Sequence, residues 1–295
     1  MLDVFNIPGQ QDNVKIFYAA GTTAWQTWQK PRNCKFIWMM CIGGGSGGGG
    51  GAGNAGVGGT GGGGTGGLVR ALFPANVLPD TLYIQPGPGG AGGLGQNVSG
   101  YGASGAGNRS FVSITPSSTT VMNIVCTSGA ASAGSVTGQT GGTAETIATV
   151  SNAGLLSLGN FIAIAGQAGA TNAGFGGVSL TPLSSTILSG GASGADGSTI
   201  GQNGGSVNAT TISPVISGGT GVGGNGGSGI VSWKPFYCLG GAGGAGVAST
   251  DPSTVGGKGG DGSYGCGGGG GATSANNTGG NGGRGGDGLV IIATF

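Results

Sequence analysis

The chain contains no histidine and only seventeen charged side chains, nine basic and eight acidic, in 295 residues. Missing histidine removes the commonest general base and the commonest zinc ligand. The carboxylates, Asp3, Asp12, Asp80, Glu145, Asp196, Asp251, Asp261 and Asp287, never pair closely in sequence. Five cysteines occur, Cys34, Cys41, Cys126, Cys238 and Cys266, an odd number without a CxxC spacing. They read as buried small apolar residues of a reducing compartment, with a Cys238–Cys266 disulfide as the alternative. No metal site is expected from them, and no cofactor. The basic residues Lys30, Arg32 and Lys35 form too small a patch for nucleic-acid binding, which needs many phosphate contacts. No run of about 18 apolar residues exists, so no membrane-inserted helix is expected. The N-terminal residues lack a basic start and a long apolar core, and are not expected to act as a secretory signal.

What the chain has instead is glycine, 80 residues of it. The excess lies in tracts such as 43–67, 87–107 and 256–288. Collagen is excluded, because glycine does not recur at every third position throughout and there are only 11 prolines. Full disorder fits poorly with 36% apolar and 6% charged residues. Matches to GxGxxG are accidents of composition, since no helix-forming segment follows them. A Walker motif fails because Lys258 is followed by Gly259.

Between the tracts stand short apolar runs whose length and alternation predict strands near 14–18, 35–42, 68–73, 81–85, 110–115, 120–126, 160–165 and 289–294. Leu155–Leu158 is a further strand expectation. The C-terminal strand is expected to pair inside a sheet, beside the first strands. Helices are disfavoured in the tracts, where each glycine costs about 1 kcal/mol against alanine. Glycine does tolerate an extended left-handed helix with three residues per turn, which bonds only to its neighbours. The expected fold is therefore all-β. A sandwich-like, glycine-rich β framework brackets packed extended polyglycine-type strands, with almost no α-helix. A valine at Gly49 should then overpack the bundle. Residues 1–20 differ in composition and are a candidate N-terminal attachment segment; 21–295 is a single glycine-rich β domain.

Tyr101 and Tyr264 each stand alone inside a tract and are candidates for either recognition or packing. Trp25 and Trp28 are candidates for an intersubunit interface. Polar stretches 96–108, 127–144 and 196–211 are candidate loops.

Three blocks carry a family likeness. They are Trp25-Gln26-Thr27-Trp28-Gln29-Lys30-Pro31 with the strand ending Cys41-Ile42-Gly43-Gly44-Gly45, Leu78-Pro79-Asp80-Thr81-Leu82-Tyr83-Ile84-Gln85-Pro86-Gly87, and Gly282-Gly283-Arg284-Gly285-Gly286-Asp287-Gly288-Leu289-Val290-Ile291-Ile292. In these blocks, and in the order of strands and tracts over nearly the whole chain, the sequence resembles glycine-rich virion structural proteins of tailed bacteriophages, of the tail fibre and tail-tip adhesin type. The resemblance implies a non-enzymatic protein on the particle surface that takes part in host attachment. Its partners would be other virion structural proteins and a host surface glycan or protein. A homo-oligomer is expected, with a trimer favoured. The alternatives are a capsid or head decoration protein with no receptor role, and a non-viral glycine-rich structural or ice-binding protein. The latter should carry regular three- or six-residue repeats, which this chain does not show.

Overall fold

The computed structural model describes residues 13–19, 24–53, 58–120, 123–133, 159–172, 174, 176–197, 201–208, 210, 213–251 and 253–295. These residues form an all-β structure of eleven strands in three antiparallel sheets. The one helical element that lies wholly within them is a 3₁₀ turn, Ala75–Val77. The strands are β1 (Val14–Tyr18), β2 (Gln26–Gln29), β3 (Phe36–Ile42), β4 (Leu68–Pro74), β5 (Thr81–Gln85), β6 (Phe111–Ser113), β7 (Ile124–Thr127), β8 (Asn160–Ile164), β9 (Val231–Trp233), β10 (Phe236–Cys238) and β11 (Leu289–Thr294).

The large sheet runs β1-β11-β3-β4-β8 and the second runs β2-β5-β6-β7. Side chains alternate along each strand, so β3 sends Ile37, Met39 and Cys41 to one face and Met40 and Ile42 to the other. The first face meets Trp28, Leu82, Ile84, Val112 and Cys126 of the second sheet. This is the sandwich core. On the opposite face, Met40, Ile42, Leu68, Leu289 and Ile291 pack against the β9–β10 ribbon and Leu188. Five of the six residues of β11, Leu289–Ala293, are at most 1% exposed, as expected for the middle of a sheet covered on both faces. It pairs with β1 and β3, so the C-terminal strand does lie beside the first strands. Residues 1–12 lie outside the described residues, whereas 14–18 form an edge strand of the main sheet.

The glycine tracts are ordered, and hydrogen bonding gives their form. Gly43, Ser46 and Gly49 donate to Gly67, Gly64 and Gly61. Gly44, Gly47 and Gly50 donate to Asn108, Gly105 and Gly102, and Gly45, Gly48 and Gly51 donate to Gly286, Gly283 and Gly280. Each successive residue thus points at a different neighbour, and the pattern returns every third residue. That is a helix of three residues per turn bonded only sideways. Among the described glycines only Gly221, Gly223 and Gly265 have positive φ, so the extended rods are left-handed.

The rods pack hexagonally. Rod 265–274 exchanges backbone hydrogen bonds with rods 43–53, 58–67, 189–197, 239–248, 256–263 and 279–288 on all sides. The backbones approach so closely that a methyl group on Gly45, Gly48 or Gly51 would lie 2.0, 2.0 or 1.9 Å from the carbonyl oxygens of Cys266, Gly269 and Ala272. A methyl group on Gly47 would meet Ala91 O at 2.0 Å. In the third direction of this rod a methyl group on Gly43 would meet Gly129 O at 1.9 Å, but further along the sequence places the small buried side chains of Ser46 and Ala52. Rod 239–248 repeats the logic with Ala242, Ala245 and Ala248 at every third position.

The sheets sit at one end of the bundle, as a cap, not on both sides of it. Strand β3 runs directly into rod 43–53, rod 58–67 into β4, and rod 279–288 into β11. Strand pairing continues into rod pairing without slip. Below Leu68↔Ile164, Thr65 N donates to Gln167 O (2.9 Å) and Gly62 N to Ala170 O (2.9 Å). Beyond Gln85↔Phe111, Asn108 N donates to Pro88 O (2.9 Å) and Gly105 N to Ala91 O (2.7 Å). Beyond Cys238↔Val231, Ala242 N donates to Gly227 O (2.9 Å) and Ala245 N to Gly224 O (2.8 Å).

Candidate functional site

At the end away from the sheets, turns near 97–101, 220–223 and 275–278, and residues 249–251 and 253–255, lie between outgoing rods and returning ones. They are held to the rod ends and to one another. Gly53 bridges Ser274, which also bridges Val247. Gly53 N donates to Val98 O (3.1 Å), Asn276 Nδ2 to Ser249 O (2.6 Å), and Ser274 Oγ to Thr254 O (3.2 Å). The 220–223 turn uses φ of +70° at Gly221 and +67° at Gly223, a region that side chains disfavour. The turns are rich in Ser, Thr and Asn, with Asp251 as their acid.

Asp251 is committed to its own loop. One oxygen accepts from Ser253 N (3.2 Å) and Ser253 Oγ (3.1 Å), and the other from Thr254 Oγ1 (2.9 Å). The Thr254 hydroxyl, ahead of the Ser253 donors, holds its carboxyl below the ordinary carboxylate range. The result is a surface of hydroxyls, amides and exposed backbone on rigid supports, suited to recognition by hydrogen bonding.

Tyr101 stands at the edge of this end, half-buried, and its hydroxyl donates to Gly58 O (3.0 Å). It ties rod 102–109 to the start of rod 58–67. Tyr264 lies at the opposite end, on the turn between rods 256–263 and 265–274. Its ring is 5.7 Å from Tyr18 and 6.2 Å from Trp233, which in turn is 5.4 Å from Phe236. Partial burial, then the neighbouring Tyr18, pushes the Tyr264 phenol up. Beside it is a cleft of about 240 Å³ lined by Asp261, Arg284 and Asp287. Those carboxylates already accept backbone hydrogen bonds, Asp261 from Arg284 N (2.8 Å) and Asp287 from Gly89 N (2.8 Å). The two tyrosines therefore do not share a site.

The interface expectation for Trp28 is corrected. Trp28 is 5% exposed, in the core between the two sheets, where β2 pairs with β5. Its apolar bulk is used inside the chain. Trp25 is half-buried with its ring 6.3 Å from Phe111. The candidate loops are corrected in part. Residues 102–108 and 201–208 are hydrogen-bonded rods, and 134–144 lie outside the described residues. Turns 249–255 and 275–278 were not singled out in the sequence. Their signal was a cluster of non-glycine polar residues interrupting a tract.

Among the described residues, no group of three or more His, Cys, Asp or Glu side chains is placed to hold a metal ion, and no helix is long and apolar enough to cross a membrane. No protein-family model matches the chain, and no curated protein matches it.

Proposed function

We propose that the protein is a non-enzymatic structural component of a tailed-phage particle. It is exposed at the surface in a tail fibre or tail tip, and takes part in host attachment. The observation that carries this reading is the separation of the two ends. Every strand-rod junction lies at the sheet end, while the far end carries polar turns on a rigid bundle. Recognition loops on a rigid scaffold are a general solution for binding.

The sheet end supplies apolar contact surface, with Phe36 46%, Leu72 37% and Ile162 53% exposed on the large sheet. It is the end assigned to other virion proteins, in a symmetric homo-oligomer with a trimer first. Measuring the mass of the purified protein at micromolar concentration checks the assembly, and a monomer both in solution and on the particle overturns it.

The attachment role is tested on phage that encode the chain. Turns 97–101, 249–255 and 275–278 are each replaced by Gly-Ser segments of equal length. Adsorption to the host should fall at least tenfold while particles still assemble. Unchanged adsorption would point to a decoration protein instead.

A further inference from the structure

The large sheet ends on β8, and among the described residues no strand pairs with the outer edge of β8. Asn160-Phe161-Ile162-Ala163-Ile164 carries no charge, no proline and no bulge, the usual devices that keep an edge from pairing. The opposite edge, β1, does carry an exposed charge, Lys15.

Beside β8, the face that bears Met40 and Ile42 is covered only in part. The β9–β10 ribbon packs on its rod-proximal half. Phe36, Leu72 and Ile162 lie on the same face by register and are 46%, 37% and 53% exposed. Among them stands Arg70, with Met40 opposite it on β3 and Ile162 opposite it on β8. Its Nε is buried without a hydrogen-bond partner, and no ion pair reaches it among the described residues. A cation in apolar surroundings calls for a carboxylate. The described carboxylates are all engaged elsewhere: Asp80 with Lys30, Asp196 with Thr273, Asp251 in its own loop, and Asp261 and Asp287 with Lys258 and Arg284. Asp3, Asp12 and Glu145 remain. Asp12 belongs to a polar run, Gln10-Gln11-Asp12-Asn13. In an extended chain Glu145 shares a face with Thr143, Ile147 and Thr149, whereas Asp3 shares one with Phe5 and Ile7. Asp3 is the better match to a cation ringed by large apolar side chains.

We propose that residues 2–7 of one copy add as a strand to the outer edge of β8 in a neighbouring copy. The backbone of this arm takes up the free edge, Phe5 and Ile7 cover Ile162 and Leu72, and Asp3 pairs with Arg70. The proposal rests on the homo-oligomer reading above and names its contact. Reach decides for a neighbour. From β1 to a strand beyond β8 is five strand spacings, about 24 Å. Residues 8–13 span about 20 Å when fully extended. The chain's own arm therefore falls short, and a neighbour's arm is free of that tether. Each copy gives one arm and receives one, a head-to-tail contact that closes as a ring, as a trimer requires.

The test is mass in solution at micromolar concentration. Deleting residues 2–7 removes the arm, and Ile162→Lys charges the receiving edge. Each change should reduce the assembly to single chains. Mixed together, the two variants should form a one-to-one pair, because one brings the edge and the other the arm. Asp3→Arg should weaken assembly by about tenfold or more, the scale of a close charge pair, and adding Arg70→Asp should recover most of the loss. An oligomer that survives the deletion overturns the exchange and leaves the assembly itself standing. So does an oligomer that Glu145→Arg dissociates and Asp3→Arg does not. A wild-type monomer overturns both. The deletion and the charge exchange decide even if Ile162→Lys fails to fold.

Discussion

Ile42 and Leu289 face each other as the rod-proximal ends of β3 and β11, and the pairing they set is kept by every glycine contact that follows. Gly45 N donates to Gly286 O (2.9 Å), Gly48 N to Gly283 O (2.9 Å) and Gly51 N to Gly280 O (2.8 Å). At each step the two chains move three residues in opposite directions. A glycine tract has no side chains with which to choose a register. The apolar strands choose it, because a one-residue slip would turn β3 or β11 inside out.

The first prediction follows from that dependence. Ile291 is fully buried beneath the large sheet. Ile291→Ala should cost about 2–5 kcal/mol. Protection of the Gly45, Gly48 and Gly51 amides against hydrogen exchange should fall with that of β11. Amides that kept their protection while the sheet lost its own would show that the rods are held independently.

Gly48→Ala tests the packing of the bundle. The added methyl would lie 2.0 Å from Gly269 O and 2.5 Å from its carbon. The rods would have to part, at roughly 1–3 kcal/mol. Leu94 occupies the outward third position of rod 87–96 and is 67% exposed. Leu94→Ser should stay within about 0.5 kcal/mol. Equal effects in urea unfolding would refute the close packing.

Ser110 is a buried joint between the two main sheets. Its hydroxyl donates to Ile42 O (2.6 Å) and accepts from Gly87 N (2.9 Å). Ser110→Ala leaves both backbone groups buried without that partner, and should cost about 2–3 kcal/mol. A loss below about 0.5 kcal/mol in the same assay would mean that other groups replace the bond.

Asp196 is fully buried near the far end. One oxygen accepts from Thr273 Oγ1 (3.0 Å), and the other has no hydrogen-bond partner among the described residues. Asp196→Asn keeps the first bond and removes the charge. It should raise stability by about 1 kcal/mol, since an uncompensated buried charge is costly. A lower urea midpoint with unchanged slope would contradict this.

Asp251 gives a prediction in pH. Its carboxyl is held below the ordinary range in the folded loop, chiefly by Thr254. The loop is therefore favoured above the ordinary carboxylate range and loses that contribution as pH falls through the lowered value. Thr254→Val should move the Asp251 titration upward, followed by carboxyl carbon NMR. No movement would assign the shift to Ser253 instead.

Much of the framework was legible in the sequence. Strands 14–18 and 81–85 have the expected bounds; those at 35–42, 68–73, 160–165 and 289–294 appear within a residue of them. The run 110–115 narrows to Phe111–Ser113, and 120–126 to Ile124–Thr127, with 121–122 outside the described residues. Leu155–Leu158 also lies outside them. Strand β2 was missed because Gln26–Gln29 has one buried side chain, Trp28, and pairs only along β5. The ribbon β9–β10 was missed because its strands are three residues each. The extended rods were foreseen from glycine's backbone freedom, but their three-residue spacing was not. It is local to each rod and resets at every turn, so the whole chain shows no repeat. Gly-Gly-Lys-Gly-Gly-Asp at 256–261 and Gly-Gly-Asn-Gly-Gly-Arg-Gly-Gly-Asp at 279–287 carry it plainly. The far-end surface was only partly legible, because adjacency of turns depends on which rods are neighbours.

The threefold rod also governs how this gene can change in length. Deleting one residue from a rod would rotate everything beyond it by about 120°. A side chain such as Arg284 would then be aimed into the lattice. Only whole triplets are neutral, and they must be gained or lost in both rods of a returning pair. The turns obey no such rule. Insertions and deletions should therefore come in threes along the bundle and in any number at its far end, a frame within the reading frame.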